Sequence, residues 1–296
     1  MICLESSTFR LDIDPALGAG WRSLEIHGPD ERFYPLLRSA PPGAAWFNHL
    51  ASYLLAPWSN RVPAGRFTFA GVEHSLRPDW PDSTAIHGLV KDRQWRLLDR
   101  SPSSARLEIV VDDGFPWAFR ARARYALGHG DLSARLEVTN LAGAPMPAGL
   151  GFHPFFRRRL WKDAESVRLR ANLLGRYPAN GMIPTGPAAD DEVCAAIRAG
   201  CEIGSYPLDD VFAGSLDGAS LEWPASRVRL GMRASPSLAH AVIYTGDPDG
   251  VCVEPVTMVN DGFNLRERGV QGTGVVVLGP GESLDAWWSM HVEPTA

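Results

Sequence analysis

No stretch of the 296-residue chain approaches 18 consecutive apolar residues, so the sequence offers no membrane-spanning helix. Its first residues, MICLESSTFRLDID, lack both a basic start and a continuous apolar segment, and we expect no secretory leader there. Cysteine is scarce. Cys3, Cys194, Cys201 and Cys252 form no C-x-x-C pair and read as reduced thiols of a cytoplasmic enzyme. Nor is there an excess of positive charge: 29 Lys and Arg against 34 Asp and Glu leave a net −5. That balance argues against a general nucleic-acid binder, which needs a basic face to neutralise phosphates. The longest basic run is Arg157-Arg158-Arg159. Also missing are G-x-x-x-x-G-K-[ST] for nucleotide phosphates, H-E-x-x-H for zinc and G-x-S-x-G for a hydrolase serine. Gly18-Ala19-Gly20 lies outside any βαβ context, so a nicotinamide cofactor has no visible support. Helical periodicity is sparse too. The best candidate is Asp190–Ala199, with Asp190 or Asp191 as its cap.

What the chain does have is turns and alternation. Gly and Pro together make 53 of 296 residues, without a G-X-Y period, and 45% of residues are hydrophobic. Collagen and disorder are therefore both excluded. From Trp117 the apolar residues Trp117, Phe119, Ala121, Ala123, Tyr125 and Leu127 alternate with Arg120, Arg122 and Arg124. After Gly128-His129-Gly130-Asp131 the pattern resumes with Leu132, Ala134, Leu136 and Val138, as in an antiparallel hairpin with one dry face. Val228, Leu230 and Met232 alternate with arginines in the same way. Further strands are expected at 66–70, 94–99, 105–111, 167–171, 241–244, 251–253, 274–278 and 285–292. Many short strands separated by turns point to an all-β sandwich or barrel. Nothing marks an internal boundary, so a single large β domain spanning 1–296 is the expectation.

Five segments place polar residues inside apolar, turn-rich surroundings. In Pro57-Trp58-Ser59-Asn60-Arg61-Val62, Asn60 and Arg61 carry several donors, for a ligand or for loop carbonyls. In Ala85-Ile86-His87-Gly88, the glycine permits a tight turn that aims an imidazole at a cavity, although a structural histidine fits equally. In Gly151-Phe152-His153-Pro154-Phe155-Phe156, the proline confines His153 to extended backbone. Burial in that aromatic run would move the histidine's pKa readily. Asp209-Asp210 follow Pro207-Leu208 and could cap a turn. In Val251-Cys252-Val253-Glu254-Pro255, Glu254 follows a short buried-looking strand. Burial there would raise its pKa toward that of a general base, unless an arginine pairs with it.

These segments, in this order, resemble the aldose 1-epimerase (mutarotase) family. The resemblance rests on Asn60-Arg61, His87-Gly88, Phe152-His153-Pro154-Phe155-Phe156, Leu208-Asp209-x-x-Phe212, Glu254-Pro255 and Asn260-Asp261-Gly262-Phe263-Asn264, over roughly residues 15–292. It implies a large antiparallel β-sandwich with a sugar cleft on one sheet, a monosaccharide substrate, and no cofactor or metal. It also implies that Glu254 removes the anomeric proton and His153 protonates the ring oxygen. His87 would then steady the ring oxygen or a nearby hydroxyl, while Asn60, Arg61 and Asp209 grip the remaining hydroxyls. The choice of Asp209 over Asp210 rests on the motif alone. Phe155 stands where the family often has tyrosine, which bears on sugar preference.

Three other readings remain open at this stage. A hexose-6-phosphate 1-epimerase would need an anion site, and Arg157-Arg158-Arg159 could supply one or could form a solvated turn. A non-catalytic carbohydrate-binding sandwich needs neither His153 nor Glu254, and a glycosidase would use two carboxylates such as Asp209 and Glu254. Of the ten tryptophans, Trp58 is the candidate cleft wall, although most in a chain of this size belong to the core.

Overall fold

A computed structural model describes residues 1–293. The expected alternation becomes a nine-stranded sheet whose neighbours are all antiparallel. Its centre is Ser104–Val111, Phe119–Leu127, Asp131–Asn140, Ser283–Glu293 and Val228–Ala234. Along Phe119–Leu127 the residues from Phe119 to Tyr125 at odd positions are buried, while the arginines between them face outward. A strand with one dry face behaves in this way.

The second sheet is built from Gly175–Arg176, Asp209–Ala213, His240–Tyr244, Gly250–Val256, Gly151–Phe152 and Leu54–Leu55, with Phe155–Arg157 also paired to Gly250–Val256. Every residue of Gly250–Val256 is buried, because the strand is covered on both sides. Val251 and Val253 face the main core, with Phe152, Phe212, Ala241 and Ile243. The same core takes in Leu136, Ala286 and Trp288 of the nine-stranded sheet, with the Phe152 and Trp288 rings 6.1 Å apart. Cys252 and Val256 point the opposite way, into a smaller cluster with Val211, Val242, Tyr53 and Phe155.

A four-stranded sheet, Ile2–Glu5, Phe9–Asp14, Gly20–His27 and Phe33–Pro35, was not expected from the sequence. Isolated bridges from Trp21 to Ser52 and from Leu37 to Phe156 tie it to the second sheet. The expected helix is present as Glu192–Ala199, capped by Asp191, whose carboxylate accepts from the Cys194 amide at 2.9 Å. A second short helix, Gly262–Glu267, was not anticipated. Among the described residues no helix is long and apolar enough to cross a membrane.

Candidate active site

Strand register assembles the site. Asp209, Tyr244, Cys252 and Phe155 lie opposite one another in a single row across four strands. Val211, Val242 and Glu254 form the adjacent row. Because strand side chains alternate, Asp209 shares the cleft face with Val211, whereas Asp210 turns away and lies 3.7 Å from Arg176. Alternation therefore gives a physical ground for preferring Asp209.

His153 reaches its place by the same rule. Gly151 pairs with Val256 and Phe155 with Cys252, so His153, midway between them, falls opposite Glu254. Pro154 offers no N–H at this point, and the His153 amide donates instead to Tyr53 O at 3.0 Å. The result is a direct contact: His153 Nε2 stands 3.1 Å from Glu254 Oε1, both residues being buried. The imidazole stacks with Tyr53 at 4.4 Å and with Phe155 at 4.7 Å, and the His87 ring meets it edge-on at 5.0 Å.

The turn carrying His87 is held by its backbone. His87 and Gly88 both have left-handed φ, +61° and +73°. A Cβ on Gly88 would lie 1.9 Å from Ala56 O, so only glycine fits against that strand. Beneath the turn the buried Lys91 donates to Gly88 O at 2.6 Å and to Asp79 Oδ2 at 2.7 Å. The His87 Nδ1 lies 2.9 Å from Ser59 O and donates to it, since a carbonyl can only accept. The neutral ring then presents Nε2 as an acceptor, suited to a hydroxyl donor and unsuited to a ring oxygen.

Beside that turn, where Arg61–Val62 pairs with Ala85–Ile86, Asn60 Oδ1 accepts from the Arg61 amide at 2.8 Å and from its Nη1 at 3.4 Å. Arg61 also donates to Asp82 at 2.9 Å and approaches Asp209 at 3.9 Å. Arg38 lies over the Phe155 ring at 3.2 Å, is bonded to Asp247 at 2.6 Å, and is thereby fully engaged in shaping the cleft.

Burial governs the electrostatics. Desolvation holds the His153 imidazole well below its usual pKa, with His87 and Arg38 adding to the effect. Glu254 is pushed well above the usual carboxylate range by burial and by the nearby Asp209, against the pull of Arg61. Asp209 is raised by its own burial, which Arg61 opposes. His87 is lowered to about 3, first by burial and then by Lys91 and Arg61, while its bond to Ser59 O acts in the other sense. In His153 and Glu254 both shifts favour the uncharged forms, so the pair holds one proton between two groups and titrates as a unit.

Across residues 2–291 the chain matches the family model described as aldose 1-epimerase. This chain belongs to the aldose 1-epimerase family. An uncharacterized protein, YphB, from Escherichia coli K12 is 26% identical over 275 residues, covering 88% of this chain and 89% of that one. A galactose mutarotase-like protein from Clostridium acetobutylicum superposes with a TM-score of 0.84 at 19% identity, covering 99% and 94% of the two chains. An aldose epimerase homologue from C. elegans does so with 0.83 at 15%, covering 100% and 99%. The likeness to these two structures shows the mutarotase-like fold, in agreement with the all-β expectation.

All six residues singled out in the aldose 1-epimerase resemblance, Asn60, Arg61, His87, His153, Asp209 and Glu254, line one cleft of about 260 Å³. Sequence reasoning missed Arg38, Asn48, Tyr53, Trp80, Tyr244 and Asp247, which line it too. Of these, Tyr244 alone carried a signal, since it alternates with Ile243 on a predicted strand. Trp58 is a correction: it is buried in the main core, 5.9 Å from the Phe115 ring, and Trp80 stands at the cleft instead. The basic run also fails to reach the cleft. Arg158 donates to the carbonyls of Asp247 and Gly204, Arg157 approaches Asp249 at 4.0 Å, and Arg159 is exposed. The anion-site reading of that run loses its basis.

Proposed function

We propose that this protein is an aldose 1-epimerase that interconverts the α and β anomers of a free monosaccharide, with Glu254 and His153 as the catalytic pair. The observation that carries the reading is the 3.1 Å contact between a buried imidazole and a buried carboxyl on the wall of a small cleft. Ring opening requires a proton removed from the anomeric oxygen and a proton supplied to the ring oxygen beside it. A sugar that inserts this edge between the two groups replaces their mutual hydrogen bond with one bond to each. Once the sugar is bound, the proton shared by the pair sits on His153, so that Glu254, as carboxylate, takes the anomeric proton while His153 delivers its own, and the ring C–O bond breaks to leave an open-chain aldehyde. Rotation about C1–C2 offers the other face of the carbonyl. On reclosure Glu254 returns its proton to the carbonyl oxygen and His153 recovers one from the ring hydroxyl. Neither group ends changed, so the cycle needs no cofactor.

In this reading His87 accepts from a hydroxyl through Nε2, and Asn60, Arg61 and Asp209 hold others. A cleft of about 260 Å³ suits a small ligand, falling just below the roughly 300–1,000 Å³ usual for pockets that take drug-sized molecules. The four unpaired thiols accord with a cytoplasmic setting.

Polarimetry on freshly dissolved α-D-glucose, α-D-galactose and L-arabinose tests the proposal. Wild type should speed relaxation of at least one sugar. Glu254→Gln and His153→Asn should each lower the rate by roughly 10²–10⁴, the usual contribution of a positioned acid or base. If no free sugar relaxes faster, or if Glu254→Gln retains full activity, the reading fails. Glucose 6-phosphate would then be the next substrate to assay, and sugar binding without turnover the last.

A further inference from the structure

Cys252 has no part in the chemistry above, yet it stands two residues before Glu254 on the same strand and faces the same way. One ligand atom from each of His153, Cys252 and Glu254 lies within 4.8 Å of the other two, and all three residues are buried. A tetrahedral zinc ion holds sulfur, nitrogen and oxygen ligands roughly 3.3–3.5 Å apart, given bond lengths near 2.0–2.3 Å. The His153–Glu254 side of the triangle is already 3.1 Å, and even a side of 4.8 Å would need to close by only about 1.3 Å. A second observation points to the same place. Oε2 of Glu254 is buried with no hydrogen-bond partner, so the carboxyl keeps a lone-pair position unused here. Imidazole, thiolate and carboxylate together suit zinc and similar ions, whereas magnesium and calcium prefer oxygen alone. His153 and Glu254 also line the cleft, from which water can complete a fourth position.

We propose that His153, Cys252 and Glu254 form a binding site for a thiophilic divalent cation such as zinc, and that the ion and a sugar's anomeric edge exclude each other. On binding, the Cys252 thiol releases its proton to solvent as the metal–sulfur bond forms. The proton shared by His153 and Glu254 is displaced in the same way, and no redox change occurs. With their ligand atoms on the ion, neither residue can exchange a proton with substrate. The binding half of this proposal stands on geometry alone, and only the inhibitory half rests on the epimerase reading.

Cobalt(II) titrated into the metal-free full chain reports thiolate ligation through a near-ultraviolet charge-transfer band. Wild type should take up one equivalent with that band. Cys252→Ala and Cys252→Ser should lose it, and Cys3→Ser should keep it. Zinc should slow anomer exchange in wild type. Cys252→Ala should need more zinc by at least the roughly 10–100-fold that losing even an outer-shell partner costs. A wild-type spectrum without the band, or a band that survives Cys252→Ala, overturns the site. If the variants do not fold, zinc-edge X-ray absorption on wild type decides instead: one sulfur near ~2.3 Å is expected, and none refutes the proposal. Should every sugar prove inert, the cobalt titration still judges the site, so the two readings fail separately.

Discussion

Acid should weaken this fold through His87, by an amount that follows from its surroundings. The ring is buried, donates Nδ1–H to Ser59 O at 2.9 Å, and is pushed from an ordinary 6.5 to about 3. An unfolded chain therefore takes up this proton near pH 6.5, while the folded chain resists until about pH 3. The stabilisation is fully present above pH 6.5 and is lost as the pH falls through that window. Over 3.5 units at about 1.36 kcal/mol each, it amounts to about 5 kcal/mol at pH 3. That is comparable with the whole stability of a small domain, about 5–15 kcal/mol. His153 and His240, also lowered by burial, act in the same direction, whereas the raised Glu254 and Asp209 act against them. A variant separates His87 from the rest. Asparagine tolerates the left-handed backbone at this position, so His87→Asn removes the titrating group at least backbone cost. Urea unfolding at pH 7, 6, 5 and 4 should show wild type losing stability faster than the variant, by about 1.4 kcal/mol per pH unit below pH 6, with equal m-values. Parallel slopes in the two proteins would refute the argument.

Further outcomes follow from the same geometry. Gly88→Ala forces a Cβ to within 1.9 Å of Ala56 O at a φ of +73° and should cost about 2–5 kcal/mol, read as a lower urea midpoint. Trp58→Ala should cost about 3–5 kcal/mol as a core cavity while leaving the KM for sugar unchanged. Trp80→Ala should do the reverse, raising KM with little change in the midpoint, and a swap of these two outcomes would contradict the placement of the two indoles. Replacing Arg157 and Arg159 together by serine should leave anomer exchange on a free aldose unaltered. A large loss would return the basic run to the site.

Alternation was readable wherever a strand has one wet face. The arginines between Phe119 and Leu127 made that pattern plain, and the observed limits differ from the expected ones by a residue or two. The same signal is present in Phe9-Arg10-Leu11-Asp12-Ile13, where the four-stranded sheet went unanticipated. Gly250–Val256 was foreseen only at its middle, because burial on both faces removes the polar residues that mark a period. The six cleft residues of the resemblance were visible as polar side chains in apolar settings. Arg38, Asn48 and Asp247 were not, since each lies outside the strands that carry the pattern, Asn48 in a single 3-10 turn at Phe47–His49, and looks like any surface residue. Trp58 misled for a related reason: adjacency to Asn60-Arg61 along the chain says nothing about which side of the backbone an indole occupies.

Gly250–Val256, walled in on both sides, carries Glu254 at its fifth position. Amides on such a strand exchange hydrogen with solvent only when the molecule opens globally, because no local motion exposes them. The site is thereby tied to the most persistent part of the structure. Heating should accordingly abolish turnover and melt the sheet in one step, with no temperature range in which a folded but inactive protein accumulates.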